Sequence, residues 1–189
     1  MADSPMVEVR SRSELRQWLA RNHATAGTHW LVTWRKPSAS HLPYAQLVEE
    51  LLCWGWIDSL PRALDADRTM LRIARRNVAS AWSAVNKAHV ERARSNGSMT
   101  AAGEDAVASA LANGMWDFLN EVEAGIVPED LAAAFDERTR IVWDTFPRSV
   151  KRGTLEWLAN AKGAQTRSAR ILDIAQSAAA GLRPNPFRR

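Results

Sequence analysis

The segment Glu50 to Asp65, ELLCWGWIDSLPRALD, sets Trp54 and Trp56 around Gly55 and follows them with Asp58, Arg62 and Asp65. Indoles offer broad apolar walls with one donor each, and a few charged groups orient a ligand against them, which is the usual make-up of a small-molecule site. At strand spacing Trp56, Asp58 and Arg62 fall on one side, and Arg72 from the next run can face them. Asp58 in such a mouth is the candidate catalytic residue, as general base, or simply a hydrogen-bond acceptor for a bound molecule. A structural reading competes with this one. Trp54 would then cap a helix onto a sheet, Trp56 and Ile57 would straddle a strand, and Asp58 would be a buried acceptor satisfied by Arg62, Arg72 or Asn86.

A second group lies in AWSAVNKAHVERAR. Trp82, Val85 and His89 share a helical face, and Ser83 and Asn86 sit in the first turns, where free N–H groups favour an anion and where both could point into the same pocket. The candidate ligand-binding set is therefore Trp54, Trp56, Asp58, Arg62, Arg72, Trp82, Ser83 and Asn86. The link RIARRN offers Arg72, Arg75 and Arg76 to phosphate oxygens, but no nucleic-acid-binding module accompanies it and acidic residues are interleaved, so nucleic acid is disfavoured as a partner.

Several chemistries lack their signatures. Neither Gly-x-x-x-x-Gly-Lys-Ser/Thr nor Gly-x-Gly-x-x-Gly occurs, so the backbone cradles for nucleotide phosphates are missing. His23, His29, His41 and His89 are scattered, and no Cys/His spacing suits zinc, so no metal and no cofactor are expected. No Gly-x-Ser-x-Gly elbow marks a serine nucleophile.

These side chains need elements to hold them. Residues 13–24 read as a helix capped by Ser13, with Leu15, Trp18 and Leu19 on one face. THWLVTWRK is rich in β-branched and aromatic residues and reads as a strand ending at Pro37, with Trp30, Val32 and Trp34 on one side. PYAQLVEELLCW places Leu47, Val48, Leu51 and Leu52 at helical spacing, turns Glu49 and Glu50 away, and ends at Gly55. WIDSLPRAL and RTMLRIAR read as two further strands, and MVEVRS adds a possible fourth.

From Ser80 onward the pattern is helical. SAWSAVNKAHVERARSNG opens at a capping serine and closes at Gly97, and TAAGEDAVASALANG runs from Thr100 to Gly114. Pro128 stands in the first turn of VPEDLAAAF, and SVKRGTLEWLANAKG and TRSARILDIAQSAAAG form a helix pair bounded by Ser or Thr and by Gly. The fold class expected is α+β: a small, mainly antiparallel sheet with packed helices and an all-helical C-terminal region. The organisation expected is a core domain over 1–125, a helical region over 126–182 packed on it, and a flexible basic tail over 183–189.

The chain has 189 residues, 46% hydrophobic and 24% charged, enough for a proper core, and no apolar run approaches the roughly 20 residues of a membrane helix. No membrane partner is expected, and oligomeric state leaves no mark in the sequence. MADSPMVEVRS has no apolar signal region, which together with the lone Cys53 points to the cytoplasm. The net charge of +4 is local: between Arg62 and Arg94 eight basic residues face three acidic ones.

Three stretches, TWRKPSASHLPYAQLVEELLCWGWIDSLPRALDADR, SAWSAVNKAHVERARSNGSMTAAG and RGTLEWLANAKGAQTRSARI, resemble the bacterial YdeI/OmpD-associated family, also labelled bacteriocin-protection. The most specific points are Trp56-Ile57-Asp58, Leu64-Asp65, Trp82-Ser83-x-x-Asn86-Lys87 and Thr166-Arg167-x-x-Arg170-Ile171. The resemblance implies a small cytoplasmic bacterial protein with an α+β core, a helical C-terminal region and a protective role, with no agreed reaction. Arg72-Ile73-Ala74-Arg75-Arg76 departs from the Arg-Phe-Thr-Pro-Arg type of run common in relatives, which implies a different ligand if that strand lines a pocket. The function expected is binding of an apolar or aromatic small molecule, in keeping with protection or resistance. The alternatives are an enzyme acting on such a molecule by acid/base chemistry at Asp58, and a nucleic-acid or anionic-partner binder acting through Arg72 to Arg76.

Overall fold

The computed structural model describes residues 4–25, 27–185 and 187, and the terminal arginines Arg188 and Arg189 of the basic tail lie outside them. The chain divides into two compact units, Met1–Phe118 and Leu119–Arg189. The fold is α+β, with every strand in the first unit.

The sheet of the first unit is built from β1 (Met6–Glu8), β2 (His29–Trp34), β3 (Trp56–Ala63) and β4 (Arg68–Arg75), in the order β1-β2-β4-β3. β2 and β3 both pair antiparallel with β4, and β1 pairs parallel with β2. The parallel step follows from α1 (Arg12–Asn22), which carries the chain back to the start of β2. One sheet face supplies Leu31, Leu71, Ile73 and Trp56 to the core, where they meet Leu15 and Leu19 of α1 and Leu47, Leu51 and Leu52 of α2 (Tyr44–Cys53). The opposite face carries Trp30, Val32 and Met70, with the Arg62 guanidinium 4.9 Å from the Trp30 ring centre.

α2 is the hub, in contact with α1, β3, α3 (Ala84–Ser95) and α4 (Ala101–Ala112). Its end is fixed by Gly55 at φ 70°, a left-handed conformation that side chains resist. The start of α4 is tied to the same end of α2, for Thr100 caps α4 and its hydroxyl donates to the Cys53 carbonyl at 2.6 Å. Gly103 lies so close to that carbonyl that a β-carbon there would collide with backbone.

Two expectations about α2 and its neighbours are corrected. Glu49 and Glu50 do not face solvent: their side chains are 9% and 1% exposed. Arg12 spans both, at 2.9 Å to Glu49 and 2.8 Å to Glu50, Arg16 reaches Glu50 at 2.8 Å and Arg92 reaches Glu49 at 3.1 Å. Charged groups can occupy such positions when they are paired and hydrogen-bonded. The caps also differ. Ser11, not Ser13, accepts from Glu14 N at the start of α1, and Ser83, not Ser80, accepts from Asn86 N at the start of α3.

The second unit is helical: α5 (Asn120–Ala124), α6 (Glu129–Ala132), α7 (Glu137–Thr145), α8 (Arg148–Ala159) and α9 (Ala164–Ala179). Trp143, Leu131, Leu155, Leu158 and Ile174 are buried in it. α8 and α9 are preceded by Pro147 and Gly163 rather than by the expected capping Ser or Thr. Arg167 pairs with Asp130, and Arg152 with Glu123, tying α9 to α6 and α8 to α5.

Candidate functional site

The eight residues singled out in the sequence do not meet at one place. The reason lies in β3, where Asp58 pairs with Ile73 but Pro61 pairs with Leu71, so three residues of β3 span two of β4. This bulge inserts one residue and reverses the facing of everything after it. Trp56 and Asp58 therefore share a face with Leu71 and Ile73, while Arg62 lies on the other, opposite Met70. Arg72 pairs with Trp30, and it too points away from Asp58. The expectation that Trp56, Asp58, Arg62 and Arg72 face one another is corrected by this register.

The remaining members are placed separately. Trp56 is fully buried in the core, and its ring nitrogen donates to the His23 carbonyl at 3.1 Å. Trp54 donates to Glu50 at 3.1 Å and joins the buried ion-pair cluster. Trp82 is 1% exposed, against Trp116 at a ring separation of 5.1 Å, and Ser83 and Asn86 begin α3 beside it. Val85, expected on the same face as His89, is exposed while His89 is buried.

The Arg-rich link is likewise divided. Arg72 and Arg75 are exposed, but Arg76 lies 4.0 Å from the Trp82 ring centre and donates to the carbonyls of Ala81 and Ser80. Burial lowers its pKa to about 10, and its contacts hold it against the strand-to-helix link.

Of the set, Asp58 borders a hollow of about 430 Å³. Its floor is apolar, from Leu42, Leu47, Leu71 and Pro61, and Thr33, Thr69 and Ser59 add short polar groups. It lies beside the first turn of α2 and the segment that follows β2, not beside α3. Its aromatic neighbour at the polar end is Tyr44, whose hydroxyl donates to Asp58 Oδ2 at 2.8 Å. The Trp34 indole also belongs elsewhere, since it donates to Glu8 and is flanked by Arg10 and Arg68.

The electrostatics of this hollow are uneven. Burial, then the hydrogen bond to Asp58 and its charge, pushes the Tyr44 pKa up to about 12, so the phenol stays protonated and its hydrogen is committed to Asp58. Arg35 and Lys36 border the far end, both exposed, and His41 Nδ1 lies 2.9 Å from the Trp34 carbonyl oxygen. Tyr44, Arg35, Lys36 and Leu42 were missed in the sequence. The available signal was the chain's single tyrosine directly after Pro43, at the entry to a helix whose first leucine is Leu47. Among the described residues no group of three or more His, Cys, Asp or Glu is gathered for a metal, and no helix is long and apolar enough to cross a membrane.

Comparison with known families follows the two units. Residues 7–106 match a domain of unknown function, DUF8412, and residues 124–181 match the family described as bacteriocin-protection, YdeI or OmpD-associated. The chain belongs to the DUF8412 family, and its second unit is similar to the YdeI/OmpD-associated family over residues 124–181. The YdeI/OmpD-associated match contains Thr166-Arg167-x-x-Arg170-Ile171, whereas the Trp56-Ile57-Asp58 and Trp82-Ser83 motifs fall inside the DUF8412 span. No curated protein and no solved structure matches the chain.

Proposed function

We propose that this protein binds a small apolar or aromatic molecule in the hollow beside Asp58, in keeping with the protective role suggested by the bacteriocin-protection label of the family that its second unit resembles. The supporting observation is the hollow itself. A concave volume of about 430 Å³ with a leucine and proline floor and few polar groups has the dimensions and make-up of a ligand site. Tyr44 is 60% exposed over its edge, which leaves room for entry, and the lone buried Cys53 suits work in the cytoplasm.

The test is a fluorescence titration with anilinonaphthalene sulfonate, an aromatic probe that brightens in apolar surroundings. Saturable binding of one probe per chain is expected, and Thr69→Trp, which fills the hollow from β4, should abolish it while the melting temperature is kept. Emission that fails to saturate, or that survives in Thr69→Trp, sinks the proposal.

A second reading, acid–base chemistry at Asp58, is favoured by one observation: the carboxylate borders the hollow and gives only Oδ2 to Tyr44. Turnover of a bound molecule that disappears in Asp58→Asn while binding persists would separate catalysis from binding alone.

A further inference from the structure

We infer that the ligand of the Asp58 hollow is an extended amphipathic acid, with a carboxylate at one end and a hydroxyl or amine at the other. This rests on the binding reading above and specifies its chemistry. The charged groups of the hollow stand at opposite ends of its apolar floor. Asp58 pairs with Ile73, which pairs with His29, so Asp58 is level with the start of β2. Arg35 follows the end of β2, six residues further along, which at about 3.3 Å per residue separates the two backbones by roughly 20 Å. The rows between them hold Leu71 and Thr69, with Leu47 above.

The two ends ask for opposite groups. Arg35 and Lys36 are exposed and make no ion pair among the described residues; Asp67, whose carbonyl accepts from Arg35 N, makes none with them either. They suit a carboxylate that also stays hydrated at the mouth. At the other end Asp58 is an acceptor and Tyr44 has already spent its hydrogen on it, so a group bound there must bring its own donor. An acid placed at that end would meet like charge. A compact ion, or a molecule polar at one end only, leaves half of this arrangement unused.

Calorimetric titration of the full chain with ω-hydroxydodecanoate, dodecanoate and dodecanediol tests the assignment. ω-Hydroxydodecanoate should bind at least about fivefold more tightly than either partner compound, the range of one charge-assisted contact. Asp58→Ala should erase its advantage over dodecanoate, and the double change Arg35→Gln with Lys36→Gln its advantage over the diol. Equal affinities for all three, still blocked by Thr69→Trp, overturn the two-ended ligand while leaving the hollow as a binding site. No binding at all, or binding that Thr69→Trp leaves intact, overturns both. If Thr69→Trp melts early, Ser59→Trp fills the same hollow from the bulge and decides the matter.

Discussion

Glu49 and Glu50 bring two adjacent carboxylates into the interior of the first unit, and each is held by more than one donor. Glu50 accepts from Arg12, Arg16 and Trp54, and Glu49 from Arg12 and Arg92. Desolvation is the largest single influence on Glu49 and raises its pKa, but the hydrogen bonds from Arg12 and Arg92, the Arg12 charge and His89 together outweigh it, and the net shift is downward from 4.5. A carboxylate whose folded-state pKa is depressed stabilises the fold fully above its unfolded value, and that contribution is lost as pH falls through the folded value. Glu49→Gln should therefore lower the urea midpoint at pH 7 and converge with the parent as the solution is acidified below the ordinary carboxylate range. Parallel midpoints across the whole range would refute the linkage. This cluster was not legible in the sequence, because apolar periodicity assigns a glutamate outward unless its partners are known, and Arg12 and Arg92 are each more than thirty residues away. Asp58 is the converse case. Its residue type and its strand could be read, but its true companion, Tyr44, comes from another element.

At the scale of elements, the strands and most helices follow from local pattern. β2 is apolar and β-branched, β4 alternates, and α2 has its leucines at helical spacing up to a left-handed glycine. The bulge in β3 did not follow, since one inserted residue leaves composition untouched and only the partner strand reveals the slip. That one residue divides the set: it sends Arg62 to the Trp30 side and leaves Asp58 on the face of Leu71 and Ile73. The α2–α4 junction is a second such feature. Gly103 reads from sequence as an unremarkable glycine in a helix, yet its missing side chain is what lets α4 approach the Cys53 carbonyl. Gly103→Ala gains helix propensity of about 1 kcal/mol but should lose more to the backbone collision, with a net destabilisation of roughly 1–2 kcal/mol in chemical unfolding. A stabilised variant would show that α4 can shift without cost.

For the whole molecule, the division into two units runs between the two family matches: DUF8412 ends at residue 106, and the YdeI/OmpD-associated match begins at 124. Each unit has its own buried apolar side chains, Leu31, Leu51 and Trp56 in the first, Trp143, Leu158 and Ile174 in the second. The first unit also contains the hollow and the ion-pair cluster around Glu49 and Glu50. Residues 1–118 produced alone should therefore unfold cooperatively and bind anilinonaphthalene sulfonate as the full chain does. A fragment that shows no cooperative transition would mean that the first unit depends on the second. Cys53 sits inside the same unit at the end of α2, fully buried, its thiol pKa raised first of all by desolvation and its sulfur 3.6 Å from Ser98 Oγ. A thiol kept in this state is inert toward alkylating reagents for as long as the end of α2 stays covered, so the protein carries its own tamper seal: a single thiol whose labelling records when that seam comes apart.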